Sequence, residues 1–211
     1  LGANTTGTQN VAVGYAAGDG ITTASYNTAV GSAALGAAST GSHNTAIGKQ
    51  SMTLNTSGES NAAVGSLTMT ANTTGVNNTC VGYASLNGNT TGGNNVAVGY
   101  SALTANTQGA ENTAVGKSTL EACTTGGDNT ALGLAAGNAV TTGSNNLCLG
   151  HDAGRTGSPG GNITTGSNEI AVGDENIASA SIQVDWTIAS DQRDKTDFTA
   201  LDLGLNFVNA L

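Results

Sequence analysis

An asparagine returns every seventeen residues through most of this chain. It stands at Asn10, Asn27, Asn44, Asn61, Asn78, Asn95, Asn112, Asn129 and Asn146, and a glycine follows each one four residues later, from Gly14 to Gly150. A fixed period of this kind is the signature of a repeat architecture and outranks any local propensity. Three residues before the asparagine stands a second glycine column, Gly7, Gly41, Gly58, Gly75, Gly92, Gly109, Gly126 and Gly143, broken only by Ala24. A tenth copy ends at Gly173 after a six-residue insertion around "RTGSPGGN", and there Glu169 takes the asparagine's place.

The period excludes most folds. Seventeen residues are too few for a two-helix repeat, which needs roughly 33. Gly, Asn and Thr at this density also disfavour helix. The length suits one coil of a parallel β-solenoid, with two short strands and two turns per coil. Successive coils then stack at a strand spacing of about 4.8 Å, so ten make a rod of about 45–50 Å. The Gly and Asn columns are expected to supply the turns, because both residues tolerate positive φ. The expected fold class is therefore all-β, a parallel β-solenoid or β-roll over residues 1–173, followed by a connecting strand region at 174–189 and a distinct segment at 190–211. The chain opens in register at Leu1 and is expected to be a piece of a longer protein.

Two adjacent columns are apolar. The residue before the phrase glycine is always aliphatic, from Val13 to Val172, and the one before that is always Ala or Cys. Neighbours on a strand point to opposite faces. The bulky column, with Val98 as its example, is expected to fill the coil. The small column, with Ala97, is expected to keep a second face thin enough for another chain. A further column holds Leu35, Met52, Met69, Leu86, Leu103 and Leu120, with Gly18, Gly137 and Gly154 near the ends. Leu, Ile, Val and Phe together make up under a fifth of the 211 residues. So thin a coil gains stability by stacking, and three-fold cyclic association would bury the second face of every coil. A homotrimer is expected.

Charge narrows the function classes. Net charge is −9 and only five Lys and Arg are present, too few to neutralise a phosphate track, so no nucleic-acid partner is expected. No apolar run approaches a membrane span, no signal peptide is evident, and no membrane insertion is expected. Two separated histidines, His43 and His151, suggest no metal site, and no cofactor is expected. Cys80 and Cys148 replace Ala in the small column. Four coils, about 19 Å, separate them, too far for a disulfide. The alternative use for them is a cysteine cluster at a trimer axis. Cys123 stands in a turn column and has no assigned role.

Three features compete for attention outside the regular phrase. The "GSPGG" stretch at 157–161 suggests an extruded loop. It lacks the lysine of a phosphate-binding loop, and with His151, Asp152 and Arg155 the alternative is a receptor-contacting protrusion. Thr22, Thr56, Thr73, Thr90, Thr107, Thr124 and Thr141 form a ladder, with Ser39 filling one rung. Regular threonine arrays on solenoids can bind ice, but a flat two-column face is not evident here because adjacent residues point opposite ways. Beyond Gly173 the period stops. "SIQVDWTI" alternates Ile182, Val184, Trp186 and Ile188 as a strand, and Leu201, Leu205, Val208 and Leu211 share one helical face.

The phrases "NVAVGYSAL" and "NTAIGKQSM" resemble the head repeats of trimeric autotransporter adhesins, which are trimeric β-rolls. The same phrase occurs in bacteriophage tail fibres. The period of seventeen departs from the shorter one usual in those heads. Residues 190–211, "SDQRDKTDFTALDLGLNFVNAL", resemble the start of the intramolecular chaperone domain of phage tail spikes and fibres, matching its S-D-x-R-x-K opening at Ser190, Asp191, Arg193 and Lys195. The second resemblance implies trimerisation and single-turnover autoproteolysis at Ala189–Ser190, with Ser190 as nucleophile and Lys195 as its base. A lysine can serve as base if burial lowers its pKa. Otherwise Ser190 caps a turn and Lys195 is a solvated charge. Together the resemblances imply a structural fibre protein of a phage tail, located on the virion. Its partners would be copies of itself, other tail proteins and a host-surface receptor such as a glycan. The alternative is the head of a bacterial surface adhesin.

Overall fold

A computed structural model describes residues 1–179, apart from residues 38 and 159. Residues 1–177 form one compact unit. It is an all-β parallel solenoid whose ten three-residue strands run from β1 (Val11–Val13) to β10 (Ile170–Val172). Each strand pairs in parallel with the next in sequence, in one ten-stranded sheet without crossovers. The register is set by the repeat. Val11 lies beside Thr28, Ala12 beside Ala29 and Val13 beside Val30, and the same columns align down to Val172 beside Leu149 in β9 (Leu147–Leu149).

Each coil carries one strand, not the expected two. The other sides of the coil are turns, and their residues repeatedly enter the left-handed region. The residue before the phrase asparagine has φ between 56° and 64° in all ten coils, whether it is Tyr26, His43, Glu111 or Asn145. The buried Leu and Met column is left-handed too, from φ 49° at Leu35 to 53° at Leu103. A strand needs φ near −120°, so this side cannot pair as a sheet. It closes instead through backbone bonds from one coil to the next, such as Leu86 N–H to Ala102 O at 2.8 Å and Leu103 N–H to Thr119 O at 3.0 Å.

The two strand faces are reversed relative to the sequence-based expectation. The small column points inward: Ala29, Ala46, Ala63, Cys80, Ala97, Ala114 and Ala131 are all fully buried. The aliphatic column points outward and ranges from half-buried to exposed, with Val13 at 58%. The bulky residues that fill the coil are instead Leu35, Met52, Met69, Leu86, Leu103 and Leu120, which arrive from the opposite side and are fully buried. A coil only seventeen residues around has room for one large side chain on its long axis. Leucine or methionine takes that room, so the facing strand residue must be small.

The phrase asparagines are not turn residues. From Asn27 to Asn146 they are buried, and with the half-buried Asn10 they form an unbroken ladder. The backbone N–H of Asn27 donates to Oδ1 of Asn10 at 2.9 Å, that of Asn44 to Asn27, and so on to Glu169, whose N–H donates to Asn146 at 3.0 Å. Most of these side chains also donate from Nδ2 to the carbonyl fourteen residues ahead, as in Asn95 to Gly109 at 2.9 Å. Carboxamides suit this task because they donate and accept at once, and each rung satisfies backbone groups that would otherwise be buried unpaired. A second ladder runs through Asn55, Asn72, Asn89 and Asn106, linked Nδ2 to Oδ1 at 2.7–2.9 Å. It stops where Cys123 occupies the column, and Oδ1 of Asn106 is left without a partner.

The glycine columns are required by close approach. A Cβ added to Gly99, which has φ 137°, would lie 2.4 Å from the carbonyl oxygen of Gly116. One added to Gly92 would lie 2.3 Å from that of Gly109. From Gly14 to Gly133, and from Gly41 to Gly143 in the other column, a Cβ would lie within 2.8 Å of the carbonyl oxygen of the next glycine, whereas Ala24 stands in the second column with its methyl buried.

Candidate functional surface

The chemistry expected at Ala189, Ser190 and Lys195 lies outside the described residues, as do the strand at 182–188 and the terminal helix. Among the described residues the functional candidates are surfaces, and each is a column repeated at the coil spacing.

The largest is the outward face of the ten-stranded sheet. Its first column reads Val11, Thr28, Thr45, Ala62, Thr79, Val96, Thr113, Thr130, Leu147, Ile170. Its second is the aliphatic column from Val13 to Val172. None of these twenty positions carries a charge, although the chain as a whole is strongly acidic. Exposure reaches 64% at Ile170, 53% at Leu132 and 41% at Val81. Both columns are visible in the sequence, but the strand faces the opposite way from the expectation. Which of two adjacent apolar residues faces inward is decided by the Leu and Met column across the coil, and that distance is not written in the strand.

Two further columns flank this face. On one side the left-handed turn residues carry the stack of Tyr26 on His43, with ring centroids 4.8 Å apart and planes within 6°. His43 is therefore a stacking partner within its turn. Further along, Asn145 Nδ2 donates to Asn168 Oδ1 at 2.8 Å. There Asp128, Asn145 and Asn168 stand over Thr130, Leu147 and Ile170 to form an open groove of about 360 Å³. On the other side Tyr83 stacks on Tyr100 at 5.4 Å, and the Lys117 ammonium lies 5.9 Å from the Tyr100 ring. His151 continues that column. Its Nδ1 is 3.1 Å from Oδ2 of Asp174, one coil on. This contact, with bonds from Asn176, holds the Asp174 carboxyl below its ordinary pKa of 3.8.

The insertion is an extruded loop. Its neck is closed by Ile163 N–H to Gly154 O at 3.0 Å, and Ser158 Oγ donates to Gly161 O at 3.1 Å. A side chain at Gly160 or Gly161 would meet nothing within 4 Å. Arg155 pairs back onto Asp152 at the loop's base. No group of three His, Cys, Asp or Glu side chains among the described residues is placed to hold a metal ion.

The cysteines are core residues. Cys80 and Cys148 replace alanine in the inward column and are free and buried, and Cys123 replaces asparagine in the second ladder. Burial raises all three thiols, to about 11 for Cys123 and for Cys148, where the Glu169 carboxylate adds to the effect. Thiols so placed are inert, and their inward positions do not suit a cluster between chains. The threonine ladder is also committed internally. Thr56, Thr73, Thr90, Thr107 and Thr124 donate their hydroxyls to the carbonyl of the next rung at 2.9–3.2 Å. The neighbouring column, Thr6, Thr23, Thr40, Thr74, Thr91, Thr125 and Thr142, is the exposed one.

Comparison with protein-family models, with curated proteins and with solved structures found no significant match. The β-solenoid is therefore established by the repeat and its register alone. No helix among the described residues is long and apolar enough to cross a membrane.

Proposed function

We propose that the chain is a structural fibre protein of a phage tail: a homotrimeric solenoid rod on the virion that reaches toward a host-surface receptor and ends at a self-processing chaperone domain. The observation that carries this reading is a succession. A stack of ten like coils is followed, after the connecting residues 174–189, by the S-D-x-R-x-K segment at Ser190–Lys195. The rod supplies length and stiffness without chemistry. The resemblance at 190–211 supplies trimerisation and release. In that reading Ser190 Oγ attacks the Ala189 carbonyl while the Lys195 amine accepts the hydroxyl proton. Water then hydrolyses the resulting ester and leaves Ser190 as a new N-terminus.

The experiment is mass spectrometry of the protein expressed with its natural continuation beyond Leu211. Cleavage between Ala189 and Ser190, abolished by Ser190→Ala, supports the reading. Intact chains through Ser190 in assembled fibres count against it. The phrase "NVAVGYSAL" favours a second reading, the head of a bacterial trimeric adhesin. A continuation into a coiled-coil stalk and membrane anchor would select that one.

A further inference from the structure

We propose that one column of the solenoid surface, Tyr15, Ser32, Lys49, Ser66 and Tyr83, is a binding site for an acidic sugar. The ring of Tyr83 takes the apolar face of the sugar, and the Lys49 ammonium takes its anionic group. The column stands one residue after the phrase glycine, beside the outward sheet face. The site needs the coil stack alone, so it stands or falls apart from the fibre reading above.

What the column holds sets it apart. Aromatic residues are only 3% of the chain, yet three of its four tyrosines stand here, Tyr15, Tyr83 and Tyr100. Two of its three lysines, Lys49 and Lys117, stand here too, in a chain of net charge −9. Both lysines are exposed. Among the described residues no carboxylate pairs with either, and the ion pairs join His151, Asp152, Asp174 and Arg155. The column's one carboxylate, Asp174, lies at its far end and is engaged by His151. Glu111 and Asp128 stand on the opposite flank of the sheet face. Unpaired ammonium groups on one line of an acidic protein attract an anion there, while the rest of the surface repels it.

Geometry defines the shape of that anion. Tyr83 and Tyr100 stack with centroids 5.4 Å apart and planes within 14°. That separation is close to the coil spacing, so the ring faces point along the rod. The outer face of Tyr100 meets the Lys117 ammonium. The outer face of Tyr83 looks toward Ser66, whose short side chain turns back to the Lys49 carbonyl at 3.4 Å and stays below the ring. Tyr83 and Lys49 therefore bound a slot two coils wide, about 9–10 Å, with a serine as its floor. Beyond Lys49 the order is mirrored by Ser32 and then Tyr15, which is 85% exposed. A ring lying on Tyr83 at about 3.5–4 Å leaves the rest of the slot to its anionic group and the Lys49 ammonium. Aromatic face, hydroxyl and ammonium complement the C–H face, hydroxyls and carboxylate or sulfate of an acidic sugar. A nucleic acid needs a longer cationic track than two lysines supply. An acidic peptide brings the charge without a rigid apolar ring to lie on Tyr83.

A printed array of carboxylated, sulfated and neutral glycans, probed with the full chain, tests the site. Expected is binding to acidic glycans and none to neutral ones, with the carboxylated and sulfated arms showing which anion is preferred. Tyr83→Ala and Lys49→Gln should each weaken binding by about tenfold, as loss of one stacked or charge-assisted contact does. Lys49→Arg, which keeps the charge, should retain binding, and so should Tyr26→Ala on the opposite flank. These side chains are exposed, so every variant should melt with the wild type. Absence of binding to any acidic glycan overturns the site, as does binding that survives both Tyr83→Ala and Lys49→Gln. Equal competition by polyglutamate or oligothymidylate shows unspecific attraction of polyanions and overturns the sugar assignment. A change of mass in light scattering on Tyr83→Ala overturns it in favour of contact between copies.

Discussion

Gly18 and Ile21 share a volume that Leu and Asn share in the central coils. A Cβ on Gly18 would lie 3.1 Å from Cδ1 of Ile21, and one on Gly154 would lie 3.3 Å from Cδ1 of Ile163. Where the first column has Leu86 or Leu103, the second has Asn89 or Asn106; where the first has glycine, the second has Ile21, Val140 or Ile163. The coil holds one large aliphatic side chain and accepts it from either column. Leu103→Gly alone should therefore destabilise by about 3–5 kcal/mol, as a buried cavity does. Adding Asn106→Ile should recover part of that loss, because it refills the cavity although it interrupts the asparagine ladder. Thermal denaturation of the single and double variants measures the coupling. Additive losses would show that the two columns do not share volume.

The phrase-asparagine ladder predicts a large effect from a small deletion. Asn95 accepts the backbone N–H of Asn112 at 3.0 Å and donates to Gly109 O at 2.9 Å. Asn95→Ala leaves the buried N–H of Asn112 unpaired, while Gly109 O keeps its bond from Asn106 Nδ2 at 3.0 Å. A loss of about 1–3 kcal/mol is expected in denaturant unfolding. Asn94→Ala, one residue earlier on the turn, removes only an exposed carboxamide whose Oδ1 accepts from Asn77 Nδ2 at 3.3 Å, and should cost under about 1 kcal/mol.

Backbone approach separates two glycines that composition treats alike. Gly99→Ala places a methyl against the Gly116 carbonyl and also strains φ, so it should prevent regular stacking at that coil. Gly160→Ala has φ 85° but open space around it. Its cost should stay near the 1–2 kcal/mol of the conformation alone. Hydrogen exchange across the two neighbouring coils distinguishes local opening from simple strain.

His151 and Asp174 predict a pH response at the last coil boundary. The folded carboxyl titrates below its value in the unfolded chain. Its stabilising effect is therefore present above the ordinary carboxylate range and is lost as pH falls through the lowered value. NMR titration of Asp174 should show that depression in the wild type. In His151→Ala the midpoint should move up toward 3.8, the ordinary value for the group. An unchanged midpoint would show that Asn176 alone accounts for the shift.

The solenoid, its period and its register were legible because the seventeen-residue interval allows one architecture. The inward and outward assignment of Ala97 and Val98 was not. Both are apolar, and only the reach of Leu86 and Leu103 from across the coil decides between them. The number of strands was also hidden, since a leucine at φ near 50° carries no mark in the sequence that distinguishes it from a strand leucine. Asparagine was expected at turns for its tolerance of positive φ. In the buried columns it serves through its paired donor and acceptor, while the left-handed turn position beside it takes Tyr26, His43 and Glu111 as well as Asn77, Asn94, Asn145 and Asn168. The outward face was missed as a consequence of the inverted strand. The tied hydroxyls of the threonine ladder followed from coil-to-coil carbonyl spacing, which a single-coil view does not contain.

Through the central coils glycine rests on the glycine of the next coil and asparagine on the asparagine before it, so each coil is a template for its successor. A rod assembled this way works as a ruler. Deleting seventeen residues restores every column and shortens the reach by one strand spacing, about 4.8 Å. Deleting sixteen misplaces every glycine beyond the cut. Length can thus be tuned by whole coils without redesigning any contact, and the distance at which the chain presents whatever follows Gly173 is set by counting.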